Sequence, residues 1–390
     1  MNTKIVYLWA VIMALSVLLG AEDAWAHPQI ISVEPQPNTW QTTSALDVTT
    51  PAPEVPPVAA ILLRGVMLIG AATGTGGLAF LIWLLGPALA QAGGDLAILR
   101  RWQVWLAIPL LVCATVAPLM FVEQTYVTFG MVNLTGLIRM ATTRSGQVLL
   151  VRSGLALALV IAAVPLRRNQ YLRHTVCLTL SAWLLLNFSL GGHASSDPSP
   201  MLSILSNAIH LGAASLWAGG LIAFAVMLPG TLRSVPEACR PELLRTLFTQ
   251  FSILAVVSVT VLAITGTYAT LHHMSVLSDL WTTGYGQALL IKLIAFGAML
   301  LFGAYYLLVA RRQVDAWATK PAEQTRQLPH LLSRILHLEA ILGLIAILAA
   351  GALASMVPPN DTRPDERIRT GVHDVDSSRP DTRPDYPLHP

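Results

Sequence analysis

One histidine lies deep inside an apolar stretch of this chain. His210 belongs to the run Leu202–Pro229, roughly 28 residues, and about 20 apolar residues suffice to cross a bilayer. Trp217 follows two helical turns later and shares the same helix face. An imidazole at such a depth is costly unless it binds something or hydrogen-bonds a neighbouring helix. The pattern favours a binding role, with inter-helix packing as the alternative.

Further residues that bind soft metals lie near the same predicted membrane surface. Imidazole and thioether ligands together suit copper, because thioethers prefer Cu(I) and imidazole accepts either oxidation state. Carboxylates, which would suit Mg²⁺ or Mn²⁺, are nearly absent from this set. The predicted copper path is formed by His193, Met201, His210, His272, His273 and Met274.

The first 26 residues have the pattern of a secretory signal peptide, with an uncleaved anchor helix as the alternative. Cleavage after Ala26 would make His27 the mature N-terminus, where its amine and imidazole could chelate Cu(II). Pro28 has no amide N–H, so a mode that deprotonates the second backbone amide is excluded. His27 is therefore a seventh predicted metal ligand, unless it is only the first residue of a tail.

Composition indicates a polytopic membrane protein. Hydrophobic residues make up 54% of the chain and charged residues 12%, against about 25% charged in ordinary soluble domains. We predict an all-α bundle of about eight transmembrane helices, residues 58–357, between a Pro-rich tail (27–57) and a disordered tail (358–390). The eight runs are Val58–Leu85, Trp102–Val122, Val148–Leu166, Thr175–Leu190, Leu202–Pro229, Leu247–Thr270, Gln287–Ala310 and Leu331–Met356. Residues 123–147 form an interfacial helix or a lid; the sequence leaves both open.

Lysine and arginine are concentrated in alternate loops. Under the positive-inside rule those loops are cytoplasmic, which places both mature termini, His193 and the loop Leu271–Gly286 in the periplasm. No basic patch with interleaved aromatic residues points to nucleic acid as a partner. The three cysteines have no C-x-x-C spacing, so we predict neither a disulfide framework nor a thiol metal site.

Other polar residues fall inside the predicted helices. Lys292, Arg64 and Arg152 are expected to extend toward the membrane surface, which relieves most of the cost of burial. For Lys292 the alternative is a gating role. His337 and Glu339 lie in the inner half of the eighth helix, where an exit site, a proton relay or simple hydrogen bonding between helices all remain open. The glycines Gly70, Gly74 and Gly77 predict close helix packing.

Three motifs resemble the copper resistance protein D (CopD) family: GHA at Gly192–Ala194, IHLGAASLWAGGL at Ile209–Leu221 and WTTGYGQALLIKL at Trp281–Leu293. The resemblance covers the fourth to eighth helices. It implies a multi-pass bacterial inner-membrane protein that takes up copper from the periplasm and receives it from a carrier of the copper resistance protein C (CopC) type. The start HPQIISVEPQPN resembles the first residues of such a carrier, but about 30 residues cannot build its β-sandwich.

The sequence therefore predicts a copper transporter in the lipid bilayer, with copper as its substrate and no catalytic residue. No ATP-binding motif is visible, and the membrane potential favours cation entry by about 2.3 kcal/mol per charge per 100 mV. One alternative is a b-type haem oxidoreductase such as a cupric reductase. His210 and His337 differ in depth by roughly 9 Å, which is too far for one haem. A second alternative is a membrane copper sensor or assembly chaperone.

Overall fold

The computed structural model describes residues 58–163, 170–191, 200–274, 276–306, 308, 328–356 and 358–359. The predicted signal peptide and nearly all of both predicted tails lie outside these ranges, as do His27 and His193. The backbone of His272 and His273 is described, but their side chains are not.

The described residues form helices and contain no strand. Two of the helices each run through one π-helical turn: α1 is Val58–Ala79, Phe80–Leu85 and Gly86–Gln91, and α6 is Pro200–Ala214, Ser215–Gly219 and Gly220–Ser234. The others are α2 (Ala97–Phe129), α3 (Leu134–Thr142), α4 (Arg144–Ala163), α5 (Gln170–Leu190), α7 (Arg240–His273), α8 (Asp279–Thr282), α9 (Gly284–Tyr305) and α10 (Leu328–Leu353).

Seven of these helices are long and apolar enough to cross a membrane: α1, α2, α4, α6, α7, α9 and α10. The remaining predicted span, the fourth (Thr175–Leu190), corresponds to α5, which has 21 residues but includes Arg173, His174 and Asn187 and is less apolar. The predicted class, an all-α polytopic membrane protein, is confirmed. Between α2 and α4 the chain forms the short helix α3, which agrees with a helix in the segment whose structure the sequence left open.

Helix α1 is the centre of the bundle and packs against α2, α5, α6 and α10. Its small residues allow the close approach that the sequence predicted: a Cβ on Gly70 would lie 2.7 Å from Cys113 Sγ. At the crossing with α6, a Cβ on Gly76 would collide with the Ser215 carbonyl, and one on Gly219 would collide with the Ala72 carbonyl. The backbones of α1 and α6 therefore meet at the π-helical turn of α6.

The C-terminal helices surround α6 on its other sides. Helix α7 packs along the first half of α6, α10 packs against both α1 and α6, and α9 packs against α10. An aromatic cluster joins α1, α6, α7 and the residue directly after α9: Phe80, Phe224, Phe248, Phe251 and Tyr306. In this arrangement His210, one turn before the π-helical turn, faces α7 and α9.

Candidate functional site

His210 lies where three helices meet. Its Nδ1 is 2.8 Å from Thr265 Oγ1 on α7, and its Nε2 is 3.4 Å from Lys292 Nζ on α9. The ring is partly buried, and a Cβ on Gly266 would lie 3.5 Å from Cε1, so the absence of a side chain there leaves room for the imidazole. Each helix thus supplies one part of the site.

The hydrogen bonds around Thr265 assign the tautomer of His210. The Thr265 hydroxyl has one proton and directs it to the Val261 carbonyl at 2.7 Å. Its oxygen therefore accepts from His210, which places the imidazole hydrogen on Nδ1. Nε2 then carries the free lone pair, and the Lys292 ammonium donates to it. An imidazole oriented through one nitrogen with a lone pair on the other is how histidine is usually prepared to bind a metal.

The position of Lys292 differs from the expectation. Its side chain extends sideways to His210 and not outward to the membrane surface, so the predicted snorkelling is wrong at this residue. Helices α6 and α9 start at the same end of the bundle, and the two residues lie about 15 and 12 Å into them at 1.5 Å per residue. The matched depth of His210 and Lys292 could have been found from the sequence, but the direction in which the Lys292 face of α9 points could not.

An aromatic pair lies beyond His210 along the same helices. Trp217 of α6 and Phe296 of α9 meet edge to face, with ring centroids 5.5 Å apart. Trp217 is buried and follows His210 by two turns of α6. Phe296 follows Lys292 by about one turn of α9. The prediction that His210 and Trp217 share a face is confirmed, because both contact α9.

The other predicted ligands that the structure describes are not gathered around His210. Met201 is exposed in the first turn of α6, about 14 Å before His210 along the axis. Met274 is buried directly after α7, and about 12 Å of helix separate Thr265 from His273. Within the described ranges, no group of three or more histidine, cysteine, aspartate or glutamate side chains could hold a metal ion. His210 is thus the predicted ligand whose surroundings the structure defines best.

Comparison with known proteins identifies the family. The model of copper resistance protein D matches residues 245–353, and the model of the copper resistance protein D-like N-terminal domain matches residues 53–201. Together the two matches cover more than half of the chain. The chain belongs to the copper resistance protein D family.

A curated relative is the copper transport protein CutJ of Bacillus subtilis (strain 168), which is 27% identical over 232 residues. That match covers 58% of this chain and 40% of the relative, so this chain corresponds to less than half of the length of CutJ. No solved structure matches the chain.

A second polar cluster in this family member surrounds Arg152 of α4. The side chain is buried, and its Nε and Nη2 donate to the side-chain and backbone oxygens of Asn187 at 3.0 and 3.4 Å. Its guanidinium also lies 4.3 Å from the ring centroid of Phe188. Arg152 therefore joins α4 to α5 inside the bundle, and the expectation that it snorkels is wrong. Arg64 lies in the second turn of α1 and donates to the Ala354 carbonyl, directly after α10, at 2.8 Å.

His337 and Glu339 of α10 face opposite sides. His337 is exposed on the surface of the bundle, and its Nδ1 lies 2.6 Å from the Ser333 carbonyl of its own helix. Glu339 is buried, with 8% of its surface exposed, and it lines a cavity between α6, α7, α9 and α10. The two residues thus form neither a joint exit site nor a relay with each other.

Proposed function

We propose that this protein carries copper ions across the bacterial inner membrane, from the periplasm to the cytoplasm, with His210 as the ligand inside the membrane. Membership of the copper resistance protein D family supports a role in copper transport or resistance. The printed name of the relative, a copper transport protein, supports transport in particular. The observation that carries the proposal is the orientation of His210: Thr265 holds Nδ1–H, which leaves the Nε2 lone pair for a metal.

Lys292 determines when that lone pair is free. Its ammonium lies 3.4 Å from Nε2, in the space that a metal ion on this nitrogen would enter. Two unit charges about 4 Å apart repel by about 4 kcal/mol at an effective dielectric constant of 20. Copper binding therefore requires Lys292 to swing away or to lose its proton. In the proposed cycle, Lys292 occupies His210 until copper displaces it.

The remaining predicted ligands would deliver copper to this point. Met201 lies in the first turn of α6, His272 and His273 end α7, and Met274 follows α7 directly. His193 precedes α6 in the sequence, in the loop predicted to be periplasmic. His27 would contribute at the mature N-terminus, and a periplasmic carrier of the CopC type would be the donor. These ligands can substitute for one another, whereas His210 has no equivalent at its depth in the described part of the bundle.

The surroundings of the histidines argue against the haem alternative. A haem held by His210 and His337 would need both imidazoles to face one pocket. His210 faces α7 and α9, while His337 is exposed and contacts a carbonyl of its own helix. A sensor or chaperone would use the same copper site without net movement of the ion, so only a flux measurement separates it from a transporter.

The test is copper uptake by the full chain in proteoliposomes of known orientation, with Cu(II) and with ascorbate-reduced copper. We expect the wild type to accumulate copper and His210→Ala to lose uptake while it remains folded by size-exclusion chromatography. His337→Ala is the matched control, because it removes the exposed imidazole, and it should transport normally. Copper binding without uptake in the wild type would favour the sensor or chaperone. Normal uptake by His210→Ala would return His210 to a packing role.

A further inference from the structure

Beyond the aromatic pair, α6, α7, α9 and α10 enclose a cavity of about 270 Å³. Trp217 lines its wall, so one ring of the aromatic pair beyond His210 also borders the cavity. Val256 of α7 and Leu300 of α9 lie on its lining and are exposed, which means that the cavity opens at the apolar surface between those two helices. In a membrane this mouth would face hydrocarbon and not water.

Among the residues that the structure describes, Glu339 is the one carboxyl group on this lining. It is buried, and within the described ranges it makes no hydrogen bond or ion pair. A lone carboxylate is costly in apolar surroundings, so the group is stable there only as the neutral acid or with a cation beside it. An acidic side chain without a partner is therefore suited to exchange a proton for a cation.

A soft ligand lines the same cavity, about one turn of α10 from Glu339. Met299 of α9 is buried on the same lining, and its Cε and Sδ lie 3.5 and 4.0 Å from where a Cβ of Gly343 would be. Gly343 follows Glu339 by one turn of α10 and shares its face. Met299 also follows Lys292 by two turns of α9, so the outer site and the cavity lie along one face of that helix.

The other groups around Glu339 carry no charge that could replace this role. From α9, the titratable groups on the lining are Tyr305 and Tyr306. From α7 come Ser252 and Thr260, and from α6 comes Trp217, none of which is charged. A change of charge in the cavity at neutral pH is therefore a change at Glu339.

We propose that Glu339 and Met299 form a second, inner copper site, and that copper binds there by displacing the proton of the Glu339 carboxyl group. The step is balanced: the O–H bond of the acid breaks, the carboxylate binds the copper ion, the proton leaves to water, and copper keeps its oxidation state. Thioether and carboxylate together form a weak site, which suits an ion that must leave again. The proposal rests on copper transport as the function. It adds a second copper-binding site, which lies beyond Trp217 and Phe296 as seen from His210.

The experiment measures protons released when copper ions are added to the purified full chain in weakly buffered detergent, together with the pH profile of uptake in proteoliposomes whose voltage is clamped. We expect Glu339→Gln, which keeps the shape of the side chain, to release fewer protons per copper bound. We also expect copper uptake by the wild type to rise with pH and uptake by Glu339→Gln to be independent of pH. Glu339→Asp should restore both, whereas Met299→Leu should weaken copper binding without changing the pH profile. His337→Ala on the same helix should match the wild type.

Two results would overturn the inner site: proton release by Glu339→Gln equal to that of the wild type, or an unchanged pH profile of its uptake. Failure of the proposed function has a different appearance, because then the wild type itself takes up no copper. Even in that case the proton release of the wild type and Glu339→Gln can be compared at equilibrium, so the role of Glu339 is still decided. If Glu339→Gln does not fold, Met299→Leu decides the question, because copper binding by this variant equal to that of the wild type would overturn the inner site.

Discussion

Arg152 of α4 and Lys292 of α9 both lie within membrane-spanning helices, and their surroundings are opposite. Arg152 is buried and donates to two oxygens of Asn187, while its guanidinium lies on the ring of Phe188. Lys292 has one described partner, the lone pair of His210, at the long distance of 3.4 Å. A cation held by two hydrogen bonds and an aromatic ring supports the fold, whereas one held by a single long contact can be displaced. This contrast separates the structural cluster from the candidate copper site.

The largest expected effect is the loss of stability when Arg152 is replaced. Arg152→Met removes the guanidinium and keeps much of the apolar stem, which leaves the buried Asn187 amide oxygen without its donor. We expect a loss of about 2 kcal/mol in stability, because an unsatisfied buried polar group costs about 1–3 kcal/mol. Thermal unfolding in detergent measures this loss. Lys292→Met is the matched control and should unfold at nearly the same temperature as the wild type.

A comparable loss in the Lys292→Met variant would contradict the contrast, since both cations would then support the fold. The copper affinity of Arg152→Met, measured on the folded fraction, should equal that of the wild type. A lower affinity would mean that the α4–α5 cluster positions the copper site.

The next effect concerns the orientation of His210. Thr265→Val removes the oxygen that accepts from Nδ1–H and keeps the shape of the side chain. Loss of such an orienting partner lowers metal affinity by about ten- to hundredfold, which a competition titration with a copper chelator would measure. Thr115→Val is the control, because the Thr115 hydroxyl is exposed, donates to carbonyls of its own helix, and lies on α2, which contributes to neither proposed copper site. Equal affinities for the two variants would remove His210 from the copper site.

Helices and partners were not equally predictable from the sequence. Apolar runs specify membrane helices directly, since length and hydropathy decide whether a segment can span, and seven of the eight predicted runs meet that measure. The shared face of His210 and Trp217 followed from helical periodicity alone. The direction of Lys292 did not, because α9 is apolar around most of its circumference and no pattern fixes its rotation.

The partners of the intramembrane charges were unpredictable for the same reason. Arg152 and Asn187 come from different helices, and only the packing of α4 on α5 brings them together. His337 and Glu339 are close in sequence, yet they lie about 200° apart around a helix and so face different surroundings. The roles of His27, His193, His272 and His273 remain predictions, since the described residues include none of those side chains.

The smallest expected effect is a gain of affinity. Lys292→Met removes the ammonium from beside His210 Nε2, so copper no longer has to displace a cation. The gain should be only about tenfold, far below the Coulomb limit of about 4 kcal/mol, because the flexible lysine stem lets the ammonium move away in the wild type. Lys292→Arg keeps the charge and should show no such gain. Weaker binding by Lys292→Met would mean that Lys292 holds His210 in place, and the site would then resemble the Arg152 cluster after all.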